Sequence, residues 1–140
     1  MVVLTLGLGI PAAIVLYLSL TCPWCPPPEP PPPPGMTVAV NQAGANWSIE
    51  ILTAPAGEFP TSTYLRIWDS LGSPSLARTA FSNLTVAHWD VYRVVYRDAY
   101  PGVTEIRPSD SILIDRAAYP SGCTFRIDNG TRDLAAGILQ

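Results

Sequence analysis

Residues 36–69, MTVAVNQAGANWSIEILTAPAGEFPTSTYLRIWD, set the rhythm that decides how this chain folds. Apolar and polar side chains alternate with period two through Thr37–Asn41 and Trp47–Leu52, on either side of the turn-rich NQAGAN. The pattern predicts a β-hairpin, and Tyr64–Asp69 follows as a further strand after APAGEFPTS. Val86–Tyr100 alternates well in its second half and closes at the PG of positions 101 and 102. Ser111–Asp115, Cys123–Asp128 and Ala136–Leu139 bring the expectation to about seven or eight strands. No ten-residue stretch here has the periodicity of an amphipathic helix. Residues 36–140, 105 in all, suffice for one all-β, immunoglobulin-like sandwich.

Upstream the composition changes twice. The first acid is Glu29 and the first base is Arg66, so Met1–Pro28 holds no ionisable side chain other than cysteine and tyrosine. Residues 1–21, MVVLTLGLGIPAAIVLYLSLT, would span about 32 Å as a helix, close to the hydrocarbon thickness of a bilayer. Pro11 removes one backbone hydrogen bond and predicts a bend near residues 7–11, a defect tolerated in lipid or in a packed bundle. Gly7, Gly9, Ala12 and Ala13 are small enough to let neighbouring helices approach closely. Residues 22–35, CPWCPPPEPPPPPG, cannot form a helix interior or a central strand. Pro26–Pro34 is expected to adopt polyproline II, a semi-rigid rod of roughly 28 Å that holds two parts of the molecule apart. Three regions follow: a hydrophobic assembly helix at 1–21, a proline-rich linker at 22–35 and a β-sandwich at 36–140.

Three fates compete for the leading segment. A secretory signal normally opens with positive charge, but neither Lys nor Arg precedes this apolar run, and SLTC is a poor lipoprotein cleavage box. A single-span anchor explains the length. A filament core ranks first, because packing against copies of itself gives each apolar stripe fixed neighbours in place of fluid lipid. The expected contact residues are Val3, Leu4, Leu6, Leu8, Ile10, Pro11, Ile14, Val15 and Leu18.

Charge narrows the partners. Eight arginines, no lysine and eleven acids give a formal net charge of -3, which argues against a basic surface for a polyanion and hence against nucleic acid. Catalytic signals are few. His88, the only histidine, lies in AHWDVY, where Trp89 and Asp90 place it at an expected strand edge without a second imidazole to share a metal or a proton. Ser73 in GSPS and Ser121 in PSGC lack a nucleophile-elbow context and read as turn residues. No phosphate loop or calcium loop is present. The expectation is a non-enzyme with no cofactor and no metal.

Cys22 and Cys25 form a CxxC, and Cys123 stands about a hundred residues later. A redox motif wants a helix N-terminus in a thioredoxin-like fold, and a zinc site wants a fourth ligand; neither is visible. A disulfide between Cys22 and Cys25 would staple the junction of helix and rod, with Cys123 buried or bridging to another copy, and the pairing stays open. Three of the four asparagines stand in N-x-S/T acceptors: Asn46 in NWS, Asn83 in NLT and Asn129 in NGT. Each falls at an expected turn or strand edge, so an exported, glycosylated surface is expected.

An uncharged N-terminal helix, a spacer, one β-sandwich and several glycosylation acceptors together resemble an archaeal type IV pilin or the related archaellin. The likeness is architectural along the whole chain. Local likeness is confined to residues 107–139, RPSDSILIDRAAYPSGCTFRIDNGTRDLAAGIL, similar to the family's final strands, and no diagnostic motif accompanies it. The resemblance implies a structural subunit whose helices pack into an extracellular, cell-surface filament, membrane-inserted before assembly, with the β-domain displayed for adhesion or, in archaellins, for swimming. No basic leader ending at a processing site precedes Met1, so the numbering is expected to begin at the mature end or the maturation route to differ. Thr5 is the only polar side chain where the bacterial branch keeps a Glu, which points away from that branch. The rival expectation is a membrane-anchored sandwich ectodomain that binds a partner.

Overall fold

The computed structural model describes residues 35–140. The expected assembly helix and nearly all of the linker, with Cys22 and Cys25, lie outside the described residues. Eight strands are present: β1 (Thr37–Ala43), β2 (Asn46–Thr53), β3 (Tyr64–Trp68), β4 (Pro74–Ala80), β5 (Val94–Arg97), β6 (Ser111–Asp115), β7 (Thr124–Asp128) and β8 (Asp133–Ile138). They form two four-stranded antiparallel sheets, ordered β1-β2-β6-β5 and β4-β3-β7-β8. One short helix, α1 (Trp89–Tyr92), precedes β5. No helix among the described residues is long and apolar enough to cross a membrane.

Alternation is what builds each sheet. Trp47, Ile49 and Ile51 of β2 lie on the same face as Ile112 and Ile114 of β6, and Leu65 and Ile67 of β3 share theirs with Phe125 and Ile127 of β7. These side chains join one apolar cluster, so the two sheets share a single core. A fully buried side chain of this size contributes about 1.5–3 kcal/mol, and the central strands supply most of them. Trp47 needs a partner for its indole N–H, and donates it to the carbonyl of Tyr119 at 2.7 Å.

The registers define two ends. Gly35 starts beside β8, where the amide of Met36 donates to the carbonyl of Leu134 at 2.9 Å. Connections 54–63, 98–110 and 129–132 lie at this near end, and 44–45, 69–73 and 116–123 lie at the far end. At the far end, β1 turns into β2 through Gly44 and Ala45, with Gly44 at φ 63°, as a two-residue hairpin requires. At the near end a buried carboxylate does the tying. Asp110, fully buried, accepts from the Tyr96 hydroxyl at 2.5 Å, the Ala99 amide at 2.8 Å and the Arg107 amide at 2.9 Å.

Two expectations are corrected. Residues 86–92 are not strand: Val86–His88 form a 3-10 turn leading into α1, and Arg93 at φ 56° ends the helix with its amide on the Trp89 carbonyl. This first half of the expected strand lacks the alternation of the second and has no buried face to enforce it, since Val86 is 80% and Val91 70% exposed. The expected strand therefore shrinks to Val94–Arg97. The second miss is β4, which sits at a sheet edge behind Pro74 and buries only Leu76 and Thr79 within the strand, too little pattern to show in sequence.

Burial pushes the Tyr96 phenol well above its usual value, and its hydrogen bond to Asp110 adds to the shift. Burial also raises Tyr119, with the charges of Cys123 and Asp115 behind it. Above pH ~10 the unfolded tyrosines ionise while the folded ones hold their protons, so the unfolded chain binds fewer protons and is favoured as pH rises. Stability is expected to fall steadily from about pH 10 upward, as read by urea midpoints across pH 8–12. A flat profile would remove both phenols from the stability of the fold.

Candidate functional site

Outward-facing positions of β3, β7 and β8 gather the densest chemistry among the described residues. Register places Tyr64 beside Asp128 with Asp133 beyond, Arg66 beside Arg126 with Ala136 beyond, and Trp68 beside Thr124 with Ile138 beyond. Arg78 reaches in from β4 and lies 3.9 Å over the Tyr64 ring. The Arg66 and Arg126 guanidinium groups lie 5.3 and 5.5 Å from the centre of the Trp68 ring. Such contacts hold the guanidinium groups by cation–π attraction while leaving their in-plane donors available.

Asp128 organises the cluster. It is only 5% exposed, and its Oδ1 accepts from Arg78 Nε at 3.1 Å, Arg78 Nη2 at 2.9 Å and the Gly130 amide at 2.9 Å. Gly130 has φ 92°, and a Cβ there would meet Arg78 Nη2 at 3.1 Å, so the turn and the ion pair require this glycine together. Asp128 Oδ2 lies 3.4 Å from Arg66 Nη2, and Asp133 sits 4.0 Å from Arg66 and 3.6 Å from Arg126. Neither Asp128 Oδ2 nor Arg66 Nε makes a hydrogen bond, although both are buried. The pairing is unsaturated. Asp128→Ala should cost about 2–3 kcal/mol, because a carboxylate with charged donors is replaced by nothing that accepts; a shift under 0.5 kcal/mol in urea unfolding would show the cluster to be ornamental for stability.

Two shallow hollows accompany these groups. One, of about 440 Å³, is lined by Trp68, Thr124, Arg126 and Ile138 with Gly137 in its floor. A Cβ at Gly137 would lie 2.9 Å from the Phe125 ring, so no larger residue fits there without displacing that ring. The other, of about 340 Å³, is bordered by Arg66, Arg78, Asp128 and Arg132. Three of the chain's eight arginines, Arg66, Arg78 and Arg126, thus share one sheet face with two of its eleven acids, Asp128 and Asp133. Net charge -3 had argued against a basic surface; the local balance of Arg66, Arg78 and Arg126 against Asp128 and Asp133 is +1, because strand register collects arginines that the sequence disperses.

The residues expected to carry function are scattered. Asn83 is exposed in the 3-10 turn Phe81–Asn83, Asn46 is half-buried at the start of β2, and Asn129 is half-buried in the β7–β8 turn. Asn129 is also engaged: its Oδ1 accepts from the Thr131 amide, the Thr131 hydroxyl and the Arg132 amide, and its Nδ2 donates to Glu58 at 3.3 Å. His88 ends a 3-10 turn with Nδ1 2.9 Å from the Thr85 hydroxyl, not at a strand edge. Cys123 is a free thiol, 3% exposed, with its proton held by burial and then by the charge of Asp69. Bridging to another copy would first require it to be uncovered. No group of three or more metal-ligating side chains forms among the described residues.

Sequence reading missed the arginine–aromatic face. Its trace is the shared spacing of LRIW and FRID, which puts an arginine at the outward position of two strands that become neighbours. No known protein family, curated protein or solved structure matches the chain.

Proposed function

We propose that this chain is the structural subunit of an extracellular helical filament of the archaeal type IV pilus kind. Its hydrophobic segment at 1–21 polymerises with copies of itself, and its β-domain is displayed outside, glycosylated, for surface adhesion. The observation that carries this reading is a sequence in which an uncharged apolar stretch and a proline-rich stretch precede a β-domain that has its own core. The strand orders β1-β2-β6-β5 and β4-β3-β7-β8 support an immunoglobulin-like sandwich, corresponding to A-B-E-D opposed by C′-C-F-G. On this reading the domain serves as the filament's display module.

Negative-stain microscopy of surface material sheared from cells expressing the full chain is the direct test. Filaments that carry the chain support the reading. A detergent-soluble monomer near 15.1 kDa plus sugar would replace it with a tethered ectodomain. Intact mass adds a second measurement: sugar is expected at the acceptors, most fully at exposed Asn83 and least at Asn129, whose amide nitrogen is already bonded to Glu58. Bare polypeptide mass would remove the glycoprotein part of the proposal.

A further inference from the structure

Among the described residues, the outward face of β4-β3-β7-β8 carries arginine and aromatic chemistry that the filament reading leaves unused. We propose that it binds acidic saccharide chains, with Arg126 and Arg66 on the carboxylate or sulfate and Trp68 against the sugar ring. The proposal deepens the adhesive part of the reading above and rests on it for the exposure of this face outside the filament.

Charge complementarity is the first argument, since the strand residues of this face are locally +1 on a chain of -3, a balance that favours an anion here. The kind of anion follows from the mixture of groups. A duplex nucleic acid presents a dense row of phosphates and is bound by many cations; here Asp128 and Asp133 sit among the arginines and would repel such a row. A sugar is different. Its hydroxyls donate as well as accept, so carboxylates and guanidinium groups side by side suit it, and only its occasional acid group needs a bare cation.

Geometry agrees. From Tyr64 to Trp68 the face extends about 13 Å along the strands, and neighbouring strands add about 5 Å each, a patch for a short stretch of polysaccharide. The hollow beside Trp68 is floored by Gly137 and walled by Ile138, 48% exposed, which offers the C–H face of a sugar ring an apolar seat. Arg126 has a side chain 45% exposed and its nearest acid 3.6 Å away, so it can turn to an incoming carboxylate at small cost. Arg66, whose side chain is one-third exposed, lies beside Arg126 in register and adds a second guanidinium to the same end of the face.

The test uses the full chain, dispersed in mild detergent and, separately, as pelleted filaments. Labelled oligogalacturonate, a chain of sugar carboxylates, is titrated against it by fluorescence anisotropy, with neutral dextran and polyglutamate as comparison probes. Oligogalacturonate should bind, dextran at least tenfold more weakly for want of charge, and polyglutamate more weakly for want of a ring. Arg126→Glu should lower affinity for oligogalacturonate about tenfold or more, as expected for losing a charged contact and reversing its sign. Arg97→Ala on the opposite sheet should leave it unchanged. Trp68→Ala, checked for an unaltered unfolding curve, should weaken oligogalacturonate more than polyglutamate. Equal affinity for polyglutamate, insensitivity to Arg126→Glu, or no binding at all would each overturn the proposal. Binding by dispersed chain without filaments would leave the saccharide site standing and remove the polymer; filaments that bind nothing would do the reverse.

Discussion

Asp110→Ala is expected to lower the stability of the β-domain by about 3–5 kcal/mol, a large part of the 5–15 kcal/mol typical of a domain. The carboxylate is fully buried and takes bonds from Tyr96, Ala99 and Arg107, so its removal orphans three donors in a place water does not reach. The damage would spread across the near end. Asp110 also accepts the Ile51 amide on its backbone carbonyl at 2.9 Å, while the Ile106 amide donates to the Glu58 carbonyl and the Gly57 amide to the Glu105 carboxylate, so connections 54–63 and 98–110 are laced to each other and to β2. Asp110→Asn keeps one acceptor but points an N–H2 at other donors, and an intermediate loss of about 1–2 kcal/mol is expected. Urea unfolding followed through Trp47 fluorescence measures both. A companion titration separates mechanism from mere damage: in the Asn variant the Tyr96 phenol should ionise at lower pH than in the parent while staying above an exposed tyrosine, because burial, the larger cause, remains. An unmoved phenol would mean that the carboxylate does not act on Tyr96.

The second large effect concerns assembly. Leu8→Asp and Ile14→Asp are each expected to abolish filaments outright. The first 21 residues contain eleven Leu, Ile and Val side chains, each contributing about 1.5–3 kcal/mol when buried, so lateral packing is strong in sum. One carboxylate in that setting has no partner of opposite charge anywhere in Met1–Pro28, and an unpaired charge in an apolar contact costs more than several buried methyl groups restore. The β-domain should not notice. The described residues 35–140 have an apolar core of their own, so the urea midpoint of either variant should equal that of the parent. Normal filaments in the microscope from Leu8→Asp would end the core role of this segment; a shifted midpoint would show that the substitution acts through the β-domain instead.

How much of this was legible beforehand depended on where side chains point. Strands with two or three inward Ile, Leu, Trp or Phe at alternate positions, such as Trp47–Ile49–Ile51 and Phe125–Ile127, declare themselves, because burial of one face enforces the period. β4 offers Leu76 and Thr79 alone and starts at Pro74, so nothing in PSLARTA distinguishes it from a loop. Val86–Tyr92 shows the opposite failure: the expected strand extends back from the alternating second half of Val86–Tyr100 onto residues that coil into a 3-10 turn and α1. The arginine face was hidden for a further reason. Arg66, Arg78, Arg126 and Asp128 lie up to 62 positions apart, and only antiparallel pairing of β3 with β4 and β7 brings them within reach. The glycosylation acceptors, local in sequence, needed no such pairing to be seen, yet the sequence did not reveal that Asn129 is tied to Glu58.

The turn from β3 to β4 offers a practical use. Asp69 closes it by accepting the amides of Leu71 and Ser73, Gly72 supplies φ 86°, and Leu71 projects with 89% of its surface free, at the opposite end of the domain from Gly35. A foreign peptide grafted between Leu71 and Gly72 would be carried without touching the laced loops at the other end, which makes this tip the natural port for an affinity tag or a displayed epitope.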